Sequence, residues 1–207
     1  MLDIKLCVFD VDGVLIDSKL LHYSATAKAL LSYGYQYSQQ EDDDFGTIPT
    51  RCKLNNLADC GKINHKDIDI IWKLKEQYSQ ELFDTTVLGN FEVISLFKKL
   101  QCEGIKIILA SNARQSFIER VVKFLGIMDY VEHILSAEFL TPKPDPEIYL
   151  TAMKMMNVSP KETIIFEDSE VGKTAAYASG ANVYEIESYD QLNSSIFNNN
   201  EINSSSW

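Results

Sequence analysis

The chain has 207 residues, 45% of them hydrophobic, enough for one domain or for a main domain carrying a small insert. Thirty acidic against 19 basic residues give a formal net charge of −11, which argues against nonspecific binding to nucleic acid or to an anionic membrane, since phosphate backbones demand positive charge. No apolar run approaches the roughly 20 residues that span a bilayer, and the first residues lack the basic flank and long apolar stretch of a signal peptide, so the expected location is cytoplasmic.

The first element is a buried strand, Leu6-Cys7-Val8-Phe9, that runs directly into Asp10-Val11-Asp12-Gly13. Two acids at the end of an apolar strand repel each other and lose hydration unless a cation or a reaction offsets both costs. The pair reads as a metal site, a nucleophile, or both. Lys19 to Tyr33 then reads as a helix, with Leu20, Leu21, Ala25, Ala29 and Leu30 near a 3.6-residue period. The run Glu41-Asp42-Asp43-Asp44 is expected to be a solvated loop, followed by a polar stretch around Gly46 and Pro49 and a second helix over about Ile68 to Phe83. With no good strand between them, residues 17–84 read as an inserted helical domain.

Beyond this insert the chain alternates: a helix from about Phe91 to Leu100, a strand at Ile105 to Ala110, a helix from Gln115 to Leu125, and a short strand near His133 to Leu135. A helix from Glu147 to Met156, a strand at Thr163 to Phe166, a helix from Val171 to Ala178 and a strand at Asn182 to Ile186 complete the pattern. Strands alternating with helices imply right-handed β-α-β crossovers and a parallel sheet. The fold class is α/β: a Rossmann-like parallel sheet flanked by helices, built from residues 1–16 and 85–190, with an α-helical cap over 17–84. Residues 191–207, rich in Asn and Ser, read as a polar, mobile tail. Cys7, Cys52, Cys60 and Cys102 form no C-x-x-C pair, so neither a zinc framework nor a disulfide scaffold is indicated.

Three later segments could complete the aspartate pair: Ala110-Ser111-Asn112, Pro142-Lys143-Pro144 and Glu167-Asp168-Ser169, each beside or after an expected strand. In open α/β sheets ligands sit at the carboxyl ends of strands, where residues distant in sequence converge. Each segment also has a plainer reading in isolation. D-x-D occurs in glycosyltransferases and many acidic loops, Ser-Asn and Glu-Asp-Ser are ordinary helix caps, and a lysine between prolines is ordinarily a surface loop.

All four in this order, with Gly172, Ala175, Ala176 and Gly180 following the last, resemble the haloacid dehalogenase-like hydrolase superfamily over roughly residues 5 to 185. The resemblance is to the branch with phosphoglycolate phosphatases, sugar phosphatases and β-phosphoglucomutases. It implies that Asp10 is the nucleophile and forms an aspartyl phosphate, with Asp12 handling the protons. It implies Mg²⁺ held by Asp10, the backbone carbonyl of Asp12, Asp168 and Glu167. Lys143 then supplies a second positive charge, and Ser111 with the backbone donors of Asn112 and Ala113 takes up phosphate oxygens.

In this superfamily the helical insert closes over the core and contacts the leaving group. Arg51 is the foremost candidate here, ahead of Lys53 and Lys75, and each of the two lysines also reads as a solvated helix-face charge. His22 follows the first motif and is expected to be a structural histidine, with steadying the hinge or contacting Asp12 as the alternative. The expected activity is a phosphatase acting on a small phosphorylated metabolite, with a β-phosphoglucomutase-like mutase as the alternative. A monomer or weak homodimer is expected. A haloacid dehalogenase would not need Asp12 together with Asp168, and a catalytically silent binding protein would not need the full set of side chains.

Overall fold

The computed structural model describes residues 3–46 and 48–196. In chain order the strands and α-helices are β1 (Leu6–Phe9), β2 (Ile16–Asp17), α1 (Lys19–Leu31), α2 (Gln39–Phe45), α3 (Thr50–Asp59), α4 (Ile68–Thr86) and β3 (Leu88–Gly89). They continue with α5 (Val93–Cys102), β4 (Lys106–Ser111), α6 (Gln115–Leu125), β5 (His133–Ser136), α7 (Glu147–Met156), β6 (Thr163–Glu167), α8 (Glu170–Ala178) and β7 (Asn182–Glu185). Two compact units result: a core unit up to Asp17 and from Gly89 onward, and a helical unit of Ser18–Leu88. Among the described residues no helix is long and apolar enough to cross a membrane.

The core unit is built on a five-stranded sheet in the order β5-β4-β1-β6-β7, and every pairing is parallel. All four residues of β1 and all five of β6 are buried, as a parallel sheet covered on both faces requires. Leu6, Val8, Ile108, Ala110 and Ile165 pack with Ile148 and Ala152 of α7 and Ala175 and Ala176 of α8. Phe9 stacks on Phe166 with ring centroids 4.4 Å apart and meets Phe97 of α5 at 4.9 Å. Helix α6 buries Ile118, Val121, Val122 and Leu125, one stripe at helical spacing, and stops at Gly126, whose φ of 68° few other residues adopt.

Register decides what the sheet presents at its carboxyl edge. Phe9 aligns with Leu109 on one side and Phe166 on the other, so Asp10 stands level with Ala110 and Glu167. Ser111 aligns with Ser136 of β5. From central β1 the chain order runs outward in both directions, to β4 and β5 and to β6 and β7, which opens a crevice at that edge.

The helical unit has its own core of Ala29, Leu30, Tyr37, Leu54, Leu57, Ala58, Ile68 and Ile71. Two expectations fail here. The run Glu41–Asp44 is helical, within α2, rather than a loop. Ser38 caps that helix: its hydroxyl accepts from the Glu41 N–H at 3.2 Å while Glu41 accepts from the Ser38 N–H at 3.0 Å. Acidic side chains in the first turn also suit the positive end of the helix dipole. Helix α2 buries none of its residues, so it carries no apolar period by which to recognise it.

Lys53 and Lys75 are likewise buried rather than solvated, at 9% and 6% exposure. Lys53 donates to Asp42 at 2.7 Å, and Tyr37 donates to the same carboxylate oxygen at 2.8 Å. Lys75 reaches the adjacent Glu76 at 3.1 Å. In both cases the aliphatic stem is covered while the ammonium keeps an acid, which removes the cost of burying it alone.

The described residues of the tail expected from 191 are packed onto the core unit. Leu192 is fully buried, Ile196 nearly so, and the Asn90 amide donates to the carbonyls of Tyr189 and Leu192 at 2.8 and 2.7 Å. The rest of that expected tail lies outside the described residues.

Candidate active site

Asp10 continues β1 past its last paired residue, its N–H donating to the Phe166 carbonyl at 3.0 Å, so its buried carboxylate emerges at the sheet's carboxyl edge. Lys143 lies in the loop between β5 and α7, and its ammonium bridges Asp10 Oδ1 at 2.5 Å and Glu167 Oε2 at 2.7 Å. The loop is fastened from behind. The Asn112 side chain accepts from the Lys143 N–H at 2.9 Å and donates to its carbonyl at 3.3 Å. Asn112 was expected to act through its backbone; its side chain has a second task in holding the lysine loop.

Glu167 ends β6 with no solvent exposure. Oε1 accepts from the Asp168 N–H, the Ser169 N–H and the Ser169 hydroxyl at 3.2, 3.2 and 2.9 Å, and Oε2 accepts from the Tyr149 hydroxyl at 2.6 Å. Gly172 makes room for it, since a Cβ there would come within 2.0 Å of the carboxylate carbon. Ser169 also caps α8, its hydroxyl accepting from the Gly172 N–H at 3.1 Å.

Asp12 is half-buried in a tight loop closed by the Gly13 N–H to the Ile16 carbonyl at 2.8 Å. Gly13 has φ 81°, and a Cβ on it would lie 2.0 Å from Asp168 Oδ2. Only glycine allows the chain both to turn there and to admit Asp168. Ser111 is buried at the end of β4 and accepts from the Ala113 N–H at 3.2 Å, while the Ser136 hydroxyl donates to the Ala113 carbonyl at 2.6 Å. These bonds shape the turn that leads into α6.

The electrostatics describe a site short of positive charge. Burial and the neighbouring Glu167 push the Asp10 carboxyl well up, against the pull of Lys143. Asp168 is pushed up to about 6 by burial, with Glu167 adding to the effect. Although burial works against it, Glu167 is held below the usual carboxylate range by Lys143. Lys143 is correspondingly held charged: burial opposes that, but Asp10, Tyr149 and Glu167 outweigh it.

Carboxylate oxygens of Asp10, Glu167 and Asp168 lie within 4.8 Å of one another. Asp168 Oδ1 is buried without a hydrogen-bond partner. A buried carboxylate oxygen without a donor, among hard oxygen ligands, fits a small divalent cation such as Mg²⁺.

Asp10, Lys143, Glu167 and Asp168 therefore converge, with Asp12 in the adjoining loop and Ser111, Asn112 and Ala113 following the neighbouring strand. His22, Arg51 and Lys75 belong to the helical unit. His22 is half-buried on α1. Arg51 is exposed, pairs with Asp69 at 2.5 Å and lies over the Trp72 ring at 5.0 Å. Tyr149 is the functional candidate that sequence reasoning missed. Its one available signal was a hydroxyl-bearing ring on the apolar face shared by Ile148, Ala152 and Met153, where a buried hydroxyl needs a partner.

The chain is similar to several phosphatases and phosphomutases. A phosphorylated carbohydrates phosphatase of Thermotoga maritima is 28% identical over 174 residues, covering 84% of this chain and 80% of its own length. A fructose-1-phosphate phosphatase of Escherichia coli is 25% identical over 182 residues, 86% of this chain and 94% of its own. The β-phosphoglucomutase of Bacillus subtilis is 27% identical over 183 residues, 85% of this chain and 80% of its own. Among solved structures, the β-phosphoglucomutase of Clostridium difficile shares the fold with a TM-score of 0.75 at 24% identity, over 94% of this chain and 96% of its own. The family model for haloacid dehalogenase-like hydrolases matches residues 7–186, so this chain belongs to the haloacid dehalogenase-like hydrolase family.

Proposed function

We propose that this protein is a Mg²⁺-dependent phosphatase that hydrolyses a small soluble phosphate monoester, such as a sugar phosphate or phosphoglycolate, through an aspartyl phosphate on Asp10. The observation that carries this is the Asp10–Lys143–Glu167 bridge, at 2.5 and 2.7 Å, beside an Asp168 oxygen that lacks any donor. A carboxylate attacking a phosphate meets like-charge repulsion of about 4 kcal/mol for unit charges about 4 Å apart at an effective dielectric of 20. Lys143 sits against the nucleophile, where its charge opposes that repulsion, and Glu167 keeps the ammonium from drifting off.

Asp10 attacks phosphorus in line and the alkoxide leaves, giving the aspartyl phosphate. Asp12 donates its proton to the leaving oxygen and then, ionised, takes one from the water that attacks the aspartyl phosphate. Ser111 and the Asn112 and Ala113 N–H groups are the donors for the remaining phosphate oxygens, the Ala113 N–H exchanging its bond to Ser111 for one to the phosphate. Asp10, Asp168, the Asp12 carbonyl and Glu167 would hold the Mg²⁺, which when bound offsets the negative charge of the phosphate and of the acids around it. Arg51, with His22 and Lys75, is the candidate set for choosing the leaving group, in a cytoplasmic protein that is a monomer or weak homodimer.

The named activities of the T. maritima and E. coli relatives support a sugar phosphate as substrate. A second reading, sugar phosphate mutase, is favoured by the similarity to the B. subtilis β-phosphoglucomutase. The test is phosphate release from a panel of small esters, with and without Mg²⁺, for wild type and Asp10→Asn. The expected result is Mg²⁺-dependent release that falls about 10³-fold or more in the variant. No release from any ester, with isomerisation of a sugar 1-phosphate instead, would replace the phosphatase by the mutase.

A further inference from the structure

We infer that Tyr149 is a positioning residue for phosphoryl transfer, its hydroxyl fixing Glu167 so that Glu167 in turn holds the Lys143 ammonium against Asp10. Tyr149 is fully buried on α7, and its hydroxyl donates to Glu167 Oε2 at 2.6 Å, the same oxygen that receives Lys143 at 2.7 Å. Its ring also lies beside the ammonium, 5.1 Å from Nζ to the centroid. One side chain thus meets both members of the Glu167–Lys143 pair, by a hydrogen bond to the acid and by its ring to the base.

The consequence follows from competition at one oxygen. Lys143 is shared between two carboxylates, and its division between them depends on how well each is otherwise satisfied. Glu167 has donors at both oxygens without Lys143: the Asp168 and Ser169 N–H groups and the Ser169 hydroxyl at Oε1, and Tyr149 at Oε2. Remove the Tyr149 hydroxyl and Oε2 is left to Lys143, at 2.7 Å. The ammonium is then drawn toward Glu167 and away from Asp10, where the reacting phosphate must be met.

Tyr149→Phe isolates this effect, because it keeps the ring beside Lys143 and deletes only the hydroxyl. Since the displaced charge acts on the transition state more than on bound substrate, kcat should fall about tenfold with KM within about twofold. Calorimetry without turnover should agree: orthovanadate, a mimic of the five-coordinate transition state, should bind about tenfold more weakly, with inorganic phosphate nearly unchanged. In a Glu167→Gln background, Tyr149→Phe should add less than about twofold to either measure, because the residue acts through Glu167.

3-Fluorotyrosine at position 149 keeps the shape, makes the hydroxyl a stronger donor, and should shift kcat without shifting KM. It serves also if the phenylalanine variant fails to fold. Unchanged kcat and vanadate affinity, or a loss that is fully additive with Glu167→Gln, would overturn the role. The inference presupposes the phosphoryl-transfer chemistry proposed above, and the two can fail separately. If wild type hydrolyses no ester, that chemistry fails while the vanadate cycle still decides on Tyr149; if wild type binds no vanadate either, both fall.

Discussion

In the core unit Asp10, Glu167 and Asp168 crowd three carboxylates around the single ammonium of Lys143, whereas in the helical unit Lys28, Arg51, Lys53 and Lys62 each meet one acid: Glu81, Asp69, Asp42 and Glu41. The first arrangement is unbalanced and buried, and such a surplus of like charge persists only where a cation or a reaction uses it. The second is balanced, and apart from Lys53–Asp42 it is substantially open to solvent. On the proposed function, the contrast separates charges placed for chemistry from pairs that hold helices together, Arg51–Asp69 standing apart as a proposed substrate contact, and it marks where substitutions should cost activity and where stability.

The largest effect that would sharpen the contrast is expected at Gly13. An alanine Cβ would fall 2.0 Å from Asp168 Oδ2, at a φ of 81° that alanine adopts only under strain. Asp168 must swing away from Asp10 and Glu167. Gly13→Ala is expected to raise the Mg²⁺ needed for half-maximal activity by about 100-fold. Calorimetric titration of Mg²⁺ into the protein checks this, and an unchanged affinity would remove Asp168 from the metal site.

A middle-sized effect should appear in the helical unit. Lys53→Met leaves Asp42 partly buried with the Tyr37 hydroxyl but without its cation, and the expected loss is about 2 kcal/mol of stability. Denaturant unfolding measures it, and replacing Asp42 by Asn in the same protein should recover part of the loss. If Lys53→Met costs nothing, the pair is no more than a surface contact and the contrast between the two units weakens.

The smallest is a pH effect. Lys62 first, then the Tyr35 hydroxyl and the Ser38 N–H, lower the Glu41 carboxyl to about 2 from its ordinary 4.5. A carboxylate whose pKa is lowered by folding stabilises the native state at pH values above the ordinary pKa. That contribution drains away as the pH falls from 4.5 toward about 2. The loss should be slight, because Glu41 and Lys62 are screened by water. Melting curves across that range should be flatter for Glu41→Gln than for wild type; equal slopes would show that Glu41 is not held ionised by its partners.

The alternation of apolar strands with amphipathic helices was legible from single residues and their spacing. Leu6–Phe9, Thr163–Phe166 and the stripe Ile118, Val121, Val122, Leu125 carry their periods openly, because burial on a face or along a stripe repeats along the chain. The aspartates after β1 were equally legible, since charge at the end of an apolar strand is costly wherever the strand sits. Helix α2 was not: it buries nothing, and its one local signal was the Ser38–Glu41 capping box.

What the sequence by itself determined was therefore the parallel α/β arrangement and the presence of acids and a lysine at strand ends. Only the tertiary structure decided how they are used. Tyr149 meeting Glu167, Asn112 gripping the backbone of Lys143, and Gly13 admitting Asp168 join positions between 18 and 155 residues apart in sequence. So too for Lys53, which found Asp42 eleven residues back and could be buried rather than solvated. Periodicity records which face of an element meets the core. Whether a buried polar group finds its partner depends on strand register and helix placement, which no single segment contains.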